Sequence, residues 1–180
     1  RAESLTGGAS ALALATELAP LITGFLITGR VGAAITAEIA TMVVTEQVEA
    51  IEAMGVDPID YLVVPRVIAS VLVMPLLCGL FMLIGVLGAY ITALMMYGVD
   101  PGVFIAKILN LVDSADIVTG LRKMFFFSLV ISFISSYEGL AAKGGAKGVG
   151  LATTKAVVST LMMILASDLL ISFLEVWWFG

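Results

Sequence analysis

One uncharged stretch restricts the fold of this chain more than any other feature. No charged residue occurs between Arg66 and Asp100, and this run exceeds the roughly 20 apolar residues that a helix needs to cross the hydrocarbon core of a bilayer. Of the 180 residues, 61% are hydrophobic and 13% are charged, whereas about 25% of the residues in soluble domains are charged. The chain is therefore predicted to be an integral membrane protein.

Four apolar blocks are separated by more polar segments. They cover approximately residues 9–42, 67–97, 117–137 and 156–179. Only helices and closed barrels satisfy the backbone in lipid, and these long, uniformly apolar blocks lack the alternation of barrel strands. We predict an all-α membrane protein with a bundle of about four transmembrane helices, forming a single domain over residues 1–180.

Small residues recur at every fourth position in two of the blocks. One ridge is Gly85, Ala89 and Ala93, and the other is Gly29, Ala33, Ala37 and Thr41. Such ridges let helix backbones approach closely in lipid. They predict helix packing, either within one chain or between two copies.

A short acidic segment, TEQVEAIEAMGVDP at residues 45–58, lies between the first two blocks. On a helix its side chains form an acidic stripe and an apolar stripe: Glu46, Glu49 and Glu52 are acidic, and Val48, Ile51 and Met54 are apolar. We predict a helix over 46–54 with Thr45 as its N-cap and a left-handed stop at Gly55 before Pro58. So short a helix is unstable alone in water, which favours docking in a protein groove over a solvated connector.

An ionisable residue within a predicted span costs at least about 2.5 kcal/mol unless it faces a cavity or a partner, and four such residues are interpreted individually. Glu17 is either a structural group beside Pro20 or part of a polar headgroup site. Arg30 and Glu38 are interpreted as structural. Asp168 is expected to be buried against a polar partner or protonated.

Residues for common catalytic chemistry are scarce. The chain has no histidine and one cysteine, Cys78, and we predict no catalytic residue, no metal site and no nucleic-acid binding. GGAKGVGLATTK fails the phosphate-loop pattern because Leu151 occupies the position of the lysine. We interpret it as a flexible loop leading to Thr153 or Thr154 as the N-cap of the last span.

The stretches ELAPLITGFLITGRVGAAITAEIATMVVTEQVEAIEAMGVDPIDYLVVPR and GGAKGVGLATTKAVV closely resemble MlaE-type permeases. These are the transmembrane subunits of ATP-binding-cassette lipid transporters that work with MCE-domain proteins. The resemblance implies that residues 45–58 form a cytoplasmic coupling helix that docks on an ATPase subunit. The implied contact residues are Glu46, Gln47, Val48, Glu49, Ile51, Glu52, Met54, Gly55, Asp57 and Pro58.

The resemblance also implies a phospholipid pocket and an assembly. ELAP matches the family's ELGP element, which assigns Glu17, with Leu14 and Leu18, to lipid binding. Thr16 stands where relatives often carry an arginine, so an Arg–Glu pair cannot form there. The implied protein is a homodimer that binds no cofactor itself, while ATP and Mg²⁺ bind the ATPase subunits.

Full-length relatives carry an N-terminal interfacial helix and a further span, five in all, so we expect this sequence to lack them. The implied location is the bacterial inner membrane or, alternatively, the inner envelope membrane of an organelle. Two other functions remain open from the residues. One is a self-contained channel or proton-coupled carrier using Glu17 and Asp168, and the other is a non-transporting scaffold.

Overall fold

The structure, a computed structural model, describes residues 9–179, and this part of the chain is helical with no strand. Its six helices are α1 (Ala9–Val44), α2 (Gln47–Ala53), α3 (Ile59–Tyr97), α4 (Pro101–Leu111), α5 (Ser114–Leu140) and α6 (Gly145–Phe179). Four of them, α1, α3, α5 and α6, are long and apolar enough to cross a membrane. The prediction of an all-α membrane protein with four spans is confirmed.

The chain divides into two compact units. The first contains the described residues up to 23 together with residues 75–124, and the second contains residues 24–74 together with the chain from residue 125 onward. Helices α1, α3 and α5 contribute to both units, whereas α4 belongs to the first and α2 and α6 belong to the second.

Three π-helical segments interrupt the long helices, namely Leu14–Leu18 and Thr28–Gly32 in α1 and Ile59–Val63 in α3. Pro20 and Pro65 each follow such a segment by two residues. Proline has no N–H, and its ring clashes with the carbonyl four residues earlier in a regular helix. The wider π turn accommodates both features, so the prolines account for two of the three interruptions.

In the first unit, α1 and α5 approach each other closely at Ala15 and Gly120. A Cβ atom on Gly120 would collide with the Ala15 carbonyl group, so only glycine fits there. The Leu14 side chain packs over Gly85, while Ala93 is buried. Of the predicted Gly85 ridge, Gly85 thus packs against α1 and Ala93 lies in the interior of this unit.

In the second unit, α1 packs against α5 and α6 through a stripe next to the predicted ridge. Thr28, Gly32 and Thr36 are buried, whereas Gly29 at the start of the predicted ridge is exposed. Thr36 Oγ1 donates to Ser135 O at 2.9 Å, and Gly139 fits tightly against Ile39 and the Thr36 carbonyl. Packing within the chain therefore uses the Thr28 stripe and leaves much of the Gly29 ridge outside.

The tetrapeptide GVDP occurs at both ends of α3, at residues 55–58 and 98–101. Both glycines are left-handed, with φ of 79° at Gly55 and 61° at Gly98. Asp57 Oδ1 accepts from Ile59 N–H and Asp100 Oδ1 from Gly102 N–H, both at 2.8 Å. In each copy the glycine ends one helix, and the Asp-Pro pair begins the next.

The prediction of a flexible loop before the last span is wrong. Helix α6 already begins at Gly145, directly after the left-handed Gly144. Thr153 and Thr154 donate to Val149 O and Gly150 O inside the helix, so neither is an N-cap. Ala152 packs with Ala40 and Ala142 in a small apolar cluster, and this burial stabilises a turn whose glycines favour flexibility.

Candidate functional site

A buried ion pair joins α1 and α5 in the first unit. Lys123 Nζ lies 2.6 Å from Glu17 Oε1, and the lysine side chain is fully buried while that of Glu17 is 44% exposed. A buried ammonium group is stable in this position because the carboxylate compensates for its lost hydration. Lys123 was not among the predicted site residues, although a lysine so close to Phe125 and Phe126 in an apolar block requires an acidic partner.

The position of this ion pair depends on the π-helical segment Leu14–Leu18 of α1 and on the close approach of α5. Pro20 has no N–H, and Ala19 N–H is directed to Leu14 O, so neither usual helix donor is directed to the Ala15 carbonyl. Gly120 Cα lies against that carbonyl, a geometry that suits a weak Cα–H···O contact. Lys123 follows Gly120 by one turn on the same face of α5, which carries its ammonium group to Glu17.

The other residues assigned to lipid binding occupy different surroundings. Leu14 is half-buried over Gly85, and Leu18 is exposed. Thr16 donates to Leu12 O at 2.9 Å within α1. Lys123 therefore provides the cationic partner of Glu17 that Thr16 cannot provide.

The acidic segment forms α2, but it begins differently from the prediction. Thr45 Oγ1 donates to Thr41 O at 2.8 Å, so Thr45 completes α1 and is not the N-cap of α2. That position belongs to Glu46, whose φ of 62° makes it the one left-handed non-glycine residue among residues 9–179. The left-handed backbone of Glu46 thus separates α1 from α2.

The end of α2 matches the predicted glycine stop. Gly55 N–H donates to Glu52 O and Val56 N–H donates to Ile51 O, which together form a Schellman motif. Gly55, Asp57 and Pro58 thus complete the connector to α3. Their assignment to an ATPase surface stays a prediction beside this structural role.

No residue of α2 is buried within the chain. Val48 and Ile51 are half-buried, whereas Met54 is 72% exposed. Three further apolar side chains are exposed just beyond the helix: Val56, Ile59 and Tyr61. The same part of the sequence carries four exposed carboxylates, Glu49, Glu52, Asp57 and Asp60.

An ion pair connects the two helices that flank α2. Arg66 Nη2 of α3 lies 3.0 Å from Glu38 Oε2 of α1, and Arg66 Nη1 also donates to Leu62 O. A second pair in this unit joins Lys155 of α6 to the buried Glu138 of α5 at 3.0 Å. α1 and α3 are therefore held together directly beside the acidic helix.

The remaining predicted charges take no part in these pairs. Arg30 lies in the second π segment and is exposed, while Asp168 is half-buried in α6. Within residues 9–179, no group of three or more histidine, cysteine, aspartate or glutamate side chains is arranged to hold a metal ion.

Comparison with known proteins identifies the family of this chain. The family model described as Permease MlaE matches residues 1–174. A probable ABC transporter permease of Synechocystis is 43% identical over 173 residues, covering 96% of this chain and 66% of the relative. A probable ABC transporter permease of Rickettsia felis is also 43% identical, with 95% and 66% covered.

A plant relative shares the same region. The Arabidopsis thaliana protein TRIGALACTOSYLDIACYLGLYCEROL 1, chloroplastic, is 40% identical over 166 residues, covering 92% of this chain and 47% of the relative. The chain thus spans just under two thirds of its bacterial relatives and about half of the plant protein. The match along nearly its whole length establishes that the chain belongs to the MlaE permease family.

Proposed function

We propose that this chain is the membrane-spanning part of an ATP-driven transporter that moves phospholipids between membranes. Family membership indicates a non-enzymatic transporter subunit. The bacterial relatives are named as probable ABC transporter permeases, which favours ATP hydrolysis by separate ATPase subunits that bind ATP and Mg²⁺. The plant relative bears the name of a diacyl glycolipid, which favours a lipid as cargo.

The observation that carries the proposal is the exposure of α2. This acidic helix joins two spans and buries no side chain in its own chain. Exposed apolar groups ringed by charges are typical of a protein interface, and Met54, Val56 and Ile59 provide such groups. We propose that they enter a groove of the ATPase, with Glu49 and Glu52 facing basic residues at its rim.

Movement of α2 would then reach the spans through short connections. Glu46 joins α2 directly to α1, and the Gly55–Pro58 connector joins it to α3. The Glu38–Arg66 pair links α1 and α3 beside it. Closure of the ATPase subunits would therefore displace both helices together rather than bend one of them.

The Glu17–Lys123 pair is the proposed headgroup contact. Its half-exposed carboxylate can accept a hydrogen bond from a headgroup ammonium, while Lys123 holds that carboxylate in position. The exposed Leu18 lies one residue away for acyl-chain contact. We propose that two copies of the chain enclose the lipid and exchange it with an MCE-domain protein, in a bacterial inner membrane or an organelle envelope.

A charge-reversal experiment tests the proposal. The full-length protein is coexpressed with its ATPase subunits, and copurification and lipid-stimulated ATP hydrolysis are compared for the native protein, Glu52→Lys with Met54→Asp, and Asp113→Lys. The control reverses an exposed acid that belongs to the first unit and lies just before α5. We expect at least about a tenfold loss of ATPase binding, or about 1.4 kcal/mol, in the α2 variant alone.

Equal ATPase binding by all three proteins would refute the docking role of α2. Lipid or ion movement by the chain in vesicles without any ATPase would instead favour a self-contained carrier. In that case substitutions of Glu17 and Asp168 would be the next to measure.

A further inference from the structure

Helix α4 is a short apolar helix that the proposed function does not use. Its eleven residues, Pro101–Leu111, extend about 16 Å, roughly half of the 30 Å hydrocarbon core. It therefore cannot cross the bilayer. It connects α3 to α5 at the end of α3 opposite the acidic helix α2.

One side of α4 packs on its own unit. Phe104 is buried, and its ring meets that of Tyr90 edge to face, with 5.4 Å between the centroids. Ile108, one turn later on the same side, is half-buried, as is Lys107. These contacts fix which side of α4 faces outward.

The outward side is apolar. Ile105 and Leu109 are one turn apart and are 49% and 76% exposed. Within the helix, Lys107 and Asn110 are the polar side chains, and the acidic residues lie beyond its ends at Asp100 and Asp113. Exposed apolar side chains continue on the adjoining ends of the two spans: Met95, Met96, Ile117 and Val118.

The surroundings of α4 favour membrane lipid as the molecule that covers its outward side. Connectors of three and two residues, 98–100 and 112–113, tie α4 to two membrane-crossing helices, so it stays at the membrane surface. A helix there that packs one side on protein and exposes an apolar opposite side can bury that side at the boundary of headgroups and acyl chains. The half-buried stem of Lys107 lets its ammonium reach headgroup phosphates.

We infer that α4 is an interfacial helix, with Ile105 and Leu109 immersed in the acyl-chain region of the leaflet at that end of α3. This inference rests on the geometry of the first unit and is independent of the proposed transport function. The ligand class is the phospholipid bilayer itself, in contrast to a single bound lipid molecule.

Site-directed spin labelling tests the inference. In a Cys78→Ser background, nitroxide labels are placed at Ile105→Cys, Leu109→Cys and, as an exposed control outside α4, Asp113→Cys. The full-length protein is reconstituted in phosphatidylcholine vesicles, and collision rates with oxygen and with a water-soluble nickel chelate are measured. We expect the ratio of oxygen to nickel collisions to be several-fold higher at positions 105 and 109 than at 113.

Two results would overturn the inference. Nickel accessibility at 105 and 109 equal to that at 113 would place α4 in water. Low accessibility to both reagents at 105 and 109 would show that protein, such as a second copy of the chain, covers this side. Because the two labels are on exposed side chains and are read separately, misfolding of one variant would leave the other informative.

Discussion

Lys123 is fully buried, and its ammonium group lies 2.6 Å from the half-exposed carboxylate of Glu17. The pair joins two membrane-spanning helices that are more than a hundred residues apart in sequence. Because Lys123 is buried and Glu17 is half-exposed, the two residues have different roles. Lys123 holds the carboxylate in position, and Glu17 exposes that carboxylate at the surface of the unit.

Removing one charge of this pair should be more harmful than removing both. Glu17→Leu is expected to lower the free energy of unfolding by about 3–5 kcal/mol, because the buried Lys123 ammonium loses its counter-charge. Adding Lys123→Met should recover most of that loss. Thermal unfolding in detergent measures both variants, and a double variant no more stable than Glu17→Leu would show that the charges are not energetically coupled.

Gly120 should tolerate no side chain. A methyl group at this position would meet the Ala15 carbonyl, so Gly120→Ala is expected to lower the free energy of unfolding by about 1–3 kcal/mol and to separate Lys123 from Glu17. Gly88→Ala is the matched control in a long helix, since nothing lies within 4 Å of its added Cβ. Equal stability of the two variants would argue against the close approach of α1 and α5.

Glu46 is expected to be replaceable by glycine with a gain in stability. Its left-handed backbone costs roughly 1–2 kcal/mol for a residue with a side chain, and glycine removes most of that cost. Glu49→Gly, inside α2, should instead destabilise the helix by about 1 kcal/mol. Hydrogen exchange of the α2 amides should slow in the first variant and accelerate in the second, and acceleration in both would exclude the left-handed turn.

The aspartates of the two GVDP connectors should contribute similarly and independently. Asp57→Ala and Asp100→Ala each remove a side-chain acceptor from a first-turn N–H, at a cost of about 1 kcal/mol. The two losses should add in the double variant because the sites lie at opposite ends of α3. Asparagine at either position should restore most of the stability, and failure of this rescue would indicate a role for the charge itself.

The four spans could be predicted from the sequence because each apolar run is long enough to identify a membrane-crossing helix without knowledge of tertiary packing. The sequence also predicted the acidic helix and its glycine stop, which depend on local backbone preferences. It missed Lys123 as the partner of Glu17, because that pairing depends on how α1 packs on α5. Lys123 lies within the third apolar block, and the structure buries it.

The errors along the chain have a common physical origin. Thr45 and the Thr153–Thr154 pair were predicted to be caps because their hydroxyls suit that position, yet each donates to a carbonyl of its own helix. The Gly29 ridge was predicted to pack either within one chain or between two copies. Packing within the chain uses the adjacent Thr28 stripe, and packing between copies stays a prediction.

The repeated GVDP connector has a consequence for the dimensions of the molecule. Each copy completes its own helix stop and helix start with four adjacent residues, so neither depends on the length of α3 between them. Insertion or deletion of whole turns in α3 would leave both connectors chemically intact. Membrane proteins are sorted among membranes partly by how well the length of their spans matches the thickness of the bilayer. The length of α3 could thus change to suit a given bilayer without any change in the connector at either end.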